Sequence, residues 1–345
     1  MTASLNTDAR IKGAFYGQAL GDAFGMPSEL WPRSRVKEHF GWIDRFLDGP
    51  AENDAAKYFL AGQVTDDTSM ALAIADSIIE CDGRINPDSV AQHILLWAEE
   101  FDAFSKNVLG PTSKVALTAL KSGQEISEIP NLGTTNGAAM RVMPLGCLLS
   151  TRSIDKFCAE VACASSPTHK SDISIAGAVA VASAISMAID GTQWPSIREA
   201  LPGIAKFAQT QVSARNTFSA SLASRIELAF DVTKHESDVI VASERVYDLI
   251  GAGTSTIESV PAAFAMADLA ELNPNVCAEL CANLGGDTDT IGAMATAICG
   301  AYSGFDSIDS KFVDLLQKAN QIDFSAYSKK FTGFRRARKA DVAVA

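Results

Sequence analysis

Apolar residues in this chain recur every three to four positions far more often than every second one. That spacing belongs to helices with a buried face. Ile11, Phe15, Ala19 and Ala23 form one such stripe and predict a helix over 9–24. Met70, Ile74 and Ile78, each four apart, predict another over 68–81. Asp88 or Ser89 caps a helix that runs to Phe101. The same period predicts helices at 112–122, 136–149, 153–164, 171–190, 195–210, 216–231, 239–251, 259–271, 275–284, 289–303 and 307–320. Strand–helix alternation is missing, and no two-residue hairpin separates alternating apolar runs. The expected fold is therefore all-α: a compact orthogonal multi-helix bundle of about a dozen helices. Ala176–Ala188 and Ile291–Gly300 are rich in Ala, Gly and Ser, which lets helix axes approach closely in a dense centre.

No Pro/Gly/Ser linker divides the 345 residues, so one domain over 1–345 is expected. Segments 1–8, 43–62 and 331–345 are the expected mobile parts. The last holds Arg335, Arg336, Arg338 and Lys339 and reads as a solvated basic tail, with a partner contact as the alternative. Hydrophobic residues make up 47%, enough for a packed globule. The formal charge of −12 excludes nucleic-acid binding through a broad basic surface. There are seven Cys and no CxxC pair. Reduced thiols and a cytoplasmic location follow as expectations. Met1–Asp8 is polar and does not read as a signal peptide. Ile173–Ile189 comes closest to a membrane span, but its Ala, Ser and Gly content suits a buried helix, so no membrane partner is expected.

Two short acidic clusters carry the chemistry. Thr65-Asp66-Asp67-Thr68 and Asp287-Thr288-Asp289-Thr290 each stand where a loop enters a helix. Brought together, four carboxylates would repel unless neutralised, and hard divalent cations prefer such oxygen ligands. Ordinary N-capping is the competing reading for the first cluster, because Asp and Thr are favoured caps. The second is less ordinary: Gly285 and Gly286 free the backbone, and acids at i and i+2 with a hydroxyl at i+3 can converge on one ion. Thr135-Asn136-Gly137-Ala138-Ala139-Met140-Arg141 is a turn entering a helix, either a diphosphate-holding start or a plain Asn-Gly start. His169 could hydrogen-bond a ligand or serve as a structural side chain. Gly251-Ala252-Gly253-Thr254-Ser255 is a flexible turn without a dinucleotide fingerprint. Glu29 follows a Pro turn and reads alone as a surface acid. GxSxG and HExxH are absent.

In this order, GDAFGMPSE (21–29), GQVTDDTSMALA (62–73), TNGAAMRVMPLG (135–146), PTH (167–169), GAGTSTIESVPAA (251–263) and GGDTDTIGAMATAICGAYSG (285–304) resemble the ADP-ribosylglycohydrolase family. That family includes dinitrogenase reductase-activating glycohydrolases and vertebrate ADP-ribosyl-acceptor hydrolases. The resemblance implies an all-α fold holding two Mg²⁺ or Mn²⁺ ions. It places Thr65, Asp66 and Asp67 on one ion and Asp287, Asp289 and Thr290 on the other, with one acid bridging. It gives Glu29 a water-holding, activating or gating role, and counts Glu29, Asp66, Asp67 and Asp289 as catalytic. Asn136, Gly137 and Met140 match the phosphate-facing loop, His169 the ligand-side histidine, and Gly251, Gly253 and Ser255 the loop near the distal nucleoside. The implied reaction is hydrolysis at C1″ of an ADP-ribosyl group, on a small molecule or a protein. Two stretches depart from the family. Lys106-Asn107-Val108-Leu109-Gly110-Pro111 lacks the acid common in arginine-specific members, and Thr254 and Ser255 stand where an aromatic residue is frequent. A free nucleoside or other N-riboside substrate, and a non-catalytic nucleotide-binding or structural role, are the alternatives.

Overall fold

The computed structural model describes residues 6–106, 108–211 and 217–344. Among the described residues the chain forms eighteen α-helices and no strand, with two isolated β-bridges, Trp31–Gly286 and Thr135–Ser255. The all-α expectation holds. The helix number exceeds it because pieces such as Ala103–Lys106 and Gly137–Met140 are too short to show a period. The helix expected over 136–149 is two helices, Gly137–Met140 and Met143–Leu148. Pro144 sits in the first turn of the second, where its missing N–H costs nothing but would break a continuous helix. The helix expected over 216–231 runs Leu222–Lys234, and its expected first residue lies outside the described residues.

The Thr7–Gly25 helix packs more extensively against Thr288–Ser303 than any other pair of elements does. Both are buried on nearly every face rather than along one stripe. The reason is side-chain size. Gly13, Gly17, Gly21 and Gly25 recur every fourth residue and so line one edge of the helix. Each faces backbone of the other helix: a Cβ on Gly13 would lie 2.1 Å from Gly300 O, on Gly17 2.2 Å from Thr296 O, and on Gly25 2.3 Å from Thr288 O. Only glycine permits that approach. Asp172–Ile189 and Thr256–Leu269 pack around this pair. Asp172–Ile189 is the one described helix long and apolar enough to cross a membrane, and 94% of it is buried inside the fold.

The C-terminal segment corrects an expectation. It is not a solvated tail but a helix, Phe324–Val344. Phe331 and Arg335 are buried in it. Arg335 donates to the carbonyls of Gly146, Cys147, Leu149 and Ser186 and pairs with Asp190 at 2.9 Å. Arg338 pairs with Glu160 at 2.7 Å and Lys339 with Asp190 at 2.6 Å. Counting charges hid the apolar series Phe324, Tyr327, Phe331 and Phe334, which packs on the core. At the other end, residues 1–5 lie outside the described part, but Asn6 caps the first helix by accepting from Ala9 N–H. Segment 43–62 has no helix, yet it is anchored. Asn53 donates to Pro27 O and Glu29 O, and Gly49 N–H to Phe59 O.

Candidate functional site

Thr65 is the N-cap of the Asp66–Glu80 helix, and its hydroxyl accepts from Asp67 N–H at 3.4 Å. The capping reading is therefore correct for Thr65, and neither Asp66 nor Asp67 serves as the cap. Asp287 occupies the N-cap position of Thr288–Ser303, but its side chain caps nothing. It instead accepts from Asn136 Nδ2 at 2.5 Å. The turn before it needs two glycines. Gly285 and Gly286 have φ of 85° and 81°, and a Cβ on Gly286 would lie 2.1 Å from Ala252 O. Gly286 N–H bonds Trp31 O, Leu30 N–H bonds Gly286 O, and Asp287 N–H bonds Ala252 O. These bonds bring the segment after the first helix, the 251–255 turn and the acid turn to one place.

The two acidic clusters meet. Asp67 Oδ2 accepts from Thr65 Oγ1 at 3.2 Å and from Thr290 Oγ1 at 3.3 Å. Ligand oxygens of Glu29, Asp287 and Asp289 lie within 4.8 Å of one another, as do those of Asp22, Asp67 and Asp289. Burial and mutual repulsion push these carboxyls up. Asp66 is raised to about 7 by burial and then by Asp22, and Asp287 to about 6 by burial. Asp22 is also raised to about 6 by burial, less than it would be without its hydrogen bonds from Thr68 and Thr65. Glu29, Asp67 and Asp289 rise well above the carboxylate range, through burial first and then through neighbouring acids, Asp289 being the largest for Glu29 and Asp67.

A cavity of about 240 Å³ opens on this group. Its lining includes Glu29, Thr65, Asp66, Asp287, Asp289 and Thr290, together with Asn136, Gly137 and Met140. Phe59, Val108, Leu109 and Pro111 form an apolar wall. No Lys or Arg lines it among the described residues. Asn107, in the stretch that departs from the family pattern, lies outside the described residues. The donor set fits hard divalent cations: every ligand is oxygen, and Asp67 Oδ1 is buried without a hydrogen-bond partner.

Some expected residues stand elsewhere. Asp67 is buried beneath the surface of the cavity. His169 does not line it. It is fully buried one layer back, held by Thr168 Oγ1 at 2.8 Å and Thr135 Oγ1 at 3.0 Å, and only Thr135 reaches the cavity. Burial and Arg141 push its imidazole well below its ordinary value. In this position His169 supports Thr135 of the cavity wall. Gly251, Gly253 and Ser255 do not line the cavity either; of that turn only Thr254 does. Gly253 N–H is taken by Glu258 at 2.9 Å, and Ser255 bridges to Thr135. Asn136 faces the cavity, but its amide donates to Asp287 and Ser259, so it orients an acid.

Three buried residues were not foreseen. Asp22, Gln18 and Arg141 lie behind the acids. Gln18 donates to Asp67 O and Met140 O. Arg141 donates to Thr168, and burial lowers its pKa to about 10 although Asp66 opposes this. For Gln18 and Asp22 the signal was available: a polar residue inside an otherwise apolar helix must have a buried partner.

Residues 3–338 match the family model described as ADP-ribosylglycohydrolase. The chain is 59% identical over 331 residues to YegU, an uncharacterised protein of Escherichia coli K12, covering 96% of this chain and 98% of that one. It is 25% identical over 311 residues to the ADP-ribosyl-(dinitrogen reductase) glycohydrolase of Rhodospirillum rubrum, covering 89% and 90%. It is 25% identical over 353 residues to human ADP-ribosylhydrolase ARH3, covering 93% and 92%. A solved structure described as an ADP-ribosylglycohydrolase-related protein complex shares the fold, with a TM-score of 0.68 at 21% identity over 96% of this chain and 99% of that one.

Proposed function

This chain belongs to the ADP-ribosylglycohydrolase family, and on that premise we propose that it is a divalent-metal-dependent hydrolase of a ribosyl glycosidic bond, with C1″ of an ADP-ribosyl group as the reacting carbon. The observation that carries the reading is the convergence of Glu29, Asp66, Asp287 and Asp289 on one cavity, with Asp67 buried against Asp289 beneath it and no cationic side chain among the described lining residues. Thr65, Asp66 and Asp67 would hold one Mg²⁺ or Mn²⁺ and Asp287, Asp289 and Thr290 a second. Bound ions would offset the acids' repulsion, hold ribose hydroxyls and acidify a water.

The protein's own groups do the rest. Glu29 stands half-buried at the cavity rim, with its carboxyl held well above the usual range by burial and by Asp289 and Asp66. With cations offsetting the neighbouring acids Glu29 would be ionised, and as a carboxylate it could accept the proton of a water attacking C1″ and return it to the departing acceptor atom as the C1″ bond breaks. Asn136 fixes Asp287, and Thr290 and Thr65 fix Asp67, so little reorganisation is needed when charge develops at the sugar. Thr135, Gly137, Met140 and Thr254 lie beside the acids and would guide the remainder of the ligand.

One observation favours a second substrate class at the same site. Four carboxylates line the cavity and, among the described residues, no Lys or Arg does, so a diphosphate would find no side-chain counter-charge among them. A phosphate-free N-riboside fits that lining. The test is hydrolysis by the full-length protein of ADP-ribosylated arginine, ADP-ribosylated serine and a panel of free ribosides, with Mg²⁺ and with EDTA. Turnover that needs the metal and is abolished in Asp287→Ala is expected. Full activity in that variant would defeat the proposal, and turnover of ribosides alone would select the second class.

A further inference from the structure

Asp22 lies inside a helix whose neighbours Ala19, Leu20, Gly21, Ala23 and Phe24 are all buried, and it is itself fully buried. A carboxylate in such a place must be satisfied by hydrogen bonds. Its partners come from another part of the chain. Thr65 N–H reaches Asp22 Oδ1 at 3.0 Å and Oδ2 at 3.1 Å, and Thr68 N–H reaches Oδ2 at 3.0 Å. These amides open the Asp66–Glu80 helix, where N–H groups have no partner within the helix. They bracket Asp66 and Asp67. Thr65, the helix's own cap, reaches Asp67 N–H only at 3.4 Å. Asp22 therefore caps this helix from a distance and does so more closely than the local cap. Gln18, one turn earlier on the same helix, donates to Asp67 O at 3.0 Å and to Met140 O at 3.1 Å. A single helix face thus holds both the acid turn and the cavity wall.

On the far side of this contact, Asp67 Oδ1 is buried and unpartnered, and ligand oxygens of Asp22, Asp67 and Asp289 lie within 4.8 Å of one another. We propose that Asp22 is a positioning residue of the acid centre. By gripping the Thr65 and Thr68 amides it sets the first helical turn so that Asp67 meets Asp289 before any cation arrives. This rests on the metal-centre reading above. Outer carboxylates that orient ligands typically change metal affinity about 10- to 100-fold when altered.

Asp22→Asn keeps the size but sets an NH₂ against an N–H donor and removes the charge. The first experiment titrates MgCl₂ and MnCl₂ into metal-free full-length protein and into D22N by calorimetry, after circular dichroism shows the variant folded. A loss of affinity of about 10-fold or more is expected. Equal affinity in a folded D22N overturns the proposal, since a purely structural role would lower stability alone. The second experiment needs no variant. Hydrogen exchange of a peptide spanning residues 64–70 is followed in unmodified protein, in EDTA and in MgCl₂. Protection in EDTA within about twofold of the metal-loaded level is expected; protection that arises only with metal overturns the proposal even if D22N fails to fold. Absence of cation uptake by the unmodified protein would instead sink the metal-centre reading, and the exchange result would still decide whether Asp22 presets the helix start.

Discussion

At the scale of single residues, the acids are defined by what surrounds them. In the metal-free protein Asp66 sits at about 7, and Asp22 and Asp287 at about 6, against about 4 for a carboxylate in the unfolded chain. The folded state therefore binds protons that the unfolded chain releases. Its pKa values are raised, so this contribution to stability is complete below about pH 4 and is lost as pH rises through about 6 to 7. Thermal unfolding in EDTA should show a midpoint that falls between about pH 5 and about pH 8, and saturating Mg²⁺ should remove the fall. A flat profile in EDTA would contradict this account of the site. The candidate acids and the Asn136–Gly137 turn were legible in the sequence because residue type and short spacing carry that chemistry. The layer of His169 was not legible, because its distance from the cavity is set by Thr135 and Thr168 folding over it.

At the scale of elements, the pair Thr7–Gly25 and Thr288–Ser303 shows how small residues position chemistry. A Cβ on Gly21 would lie 2.2 Å from both Gly292 O and Thr296 Oγ1. The backbone it meets cannot rotate away. Gly→Ala inside a helix gains roughly 0.5–1 kcal/mol in propensity, whereas overpacking costs about 1–3 kcal/mol or more. The clash wins, and Gly21→Ala should lose about 1–3 kcal/mol in urea unfolding. It should also weaken Mg²⁺ uptake, because Asp22 adjoins it and Asp289 rides on the facing helix. Gly203 has open space where a Cβ would go, so Gly203→Ala should hold or raise stability by up to about 1 kcal/mol. Helix positions were readable from the 3.6-residue period, but the closeness of these two axes was only partly so. Glycines at every fourth position permit contact without naming the partner.

At the scale of the whole molecule, the C-terminal helix closes the fold over elements far away in the chain. Arg335 satisfies carbonyls at the ends of Met143–Leu148 and Asp172–Ile189 and pairs with Asp190. Arg335→Ala strands those buried groups and should cost about 3 kcal/mol in urea unfolding. Arg336→Ala, on the exposed face, should stay within about 0.5 kcal/mol. Equal effects would refute the closing role of Arg335. The sequence by itself determined the helical class, the two acidic clusters and the family, because periodicity and residue chemistry are local properties of a chain. Tertiary structure alone decided that Asp22 grips the Thr65 turn, that His169 stands behind the cavity, and that a run of basic residues is partly core. Each of those outcomes depends on distances between segments remote in sequence, and packing fixes such distances, not pattern.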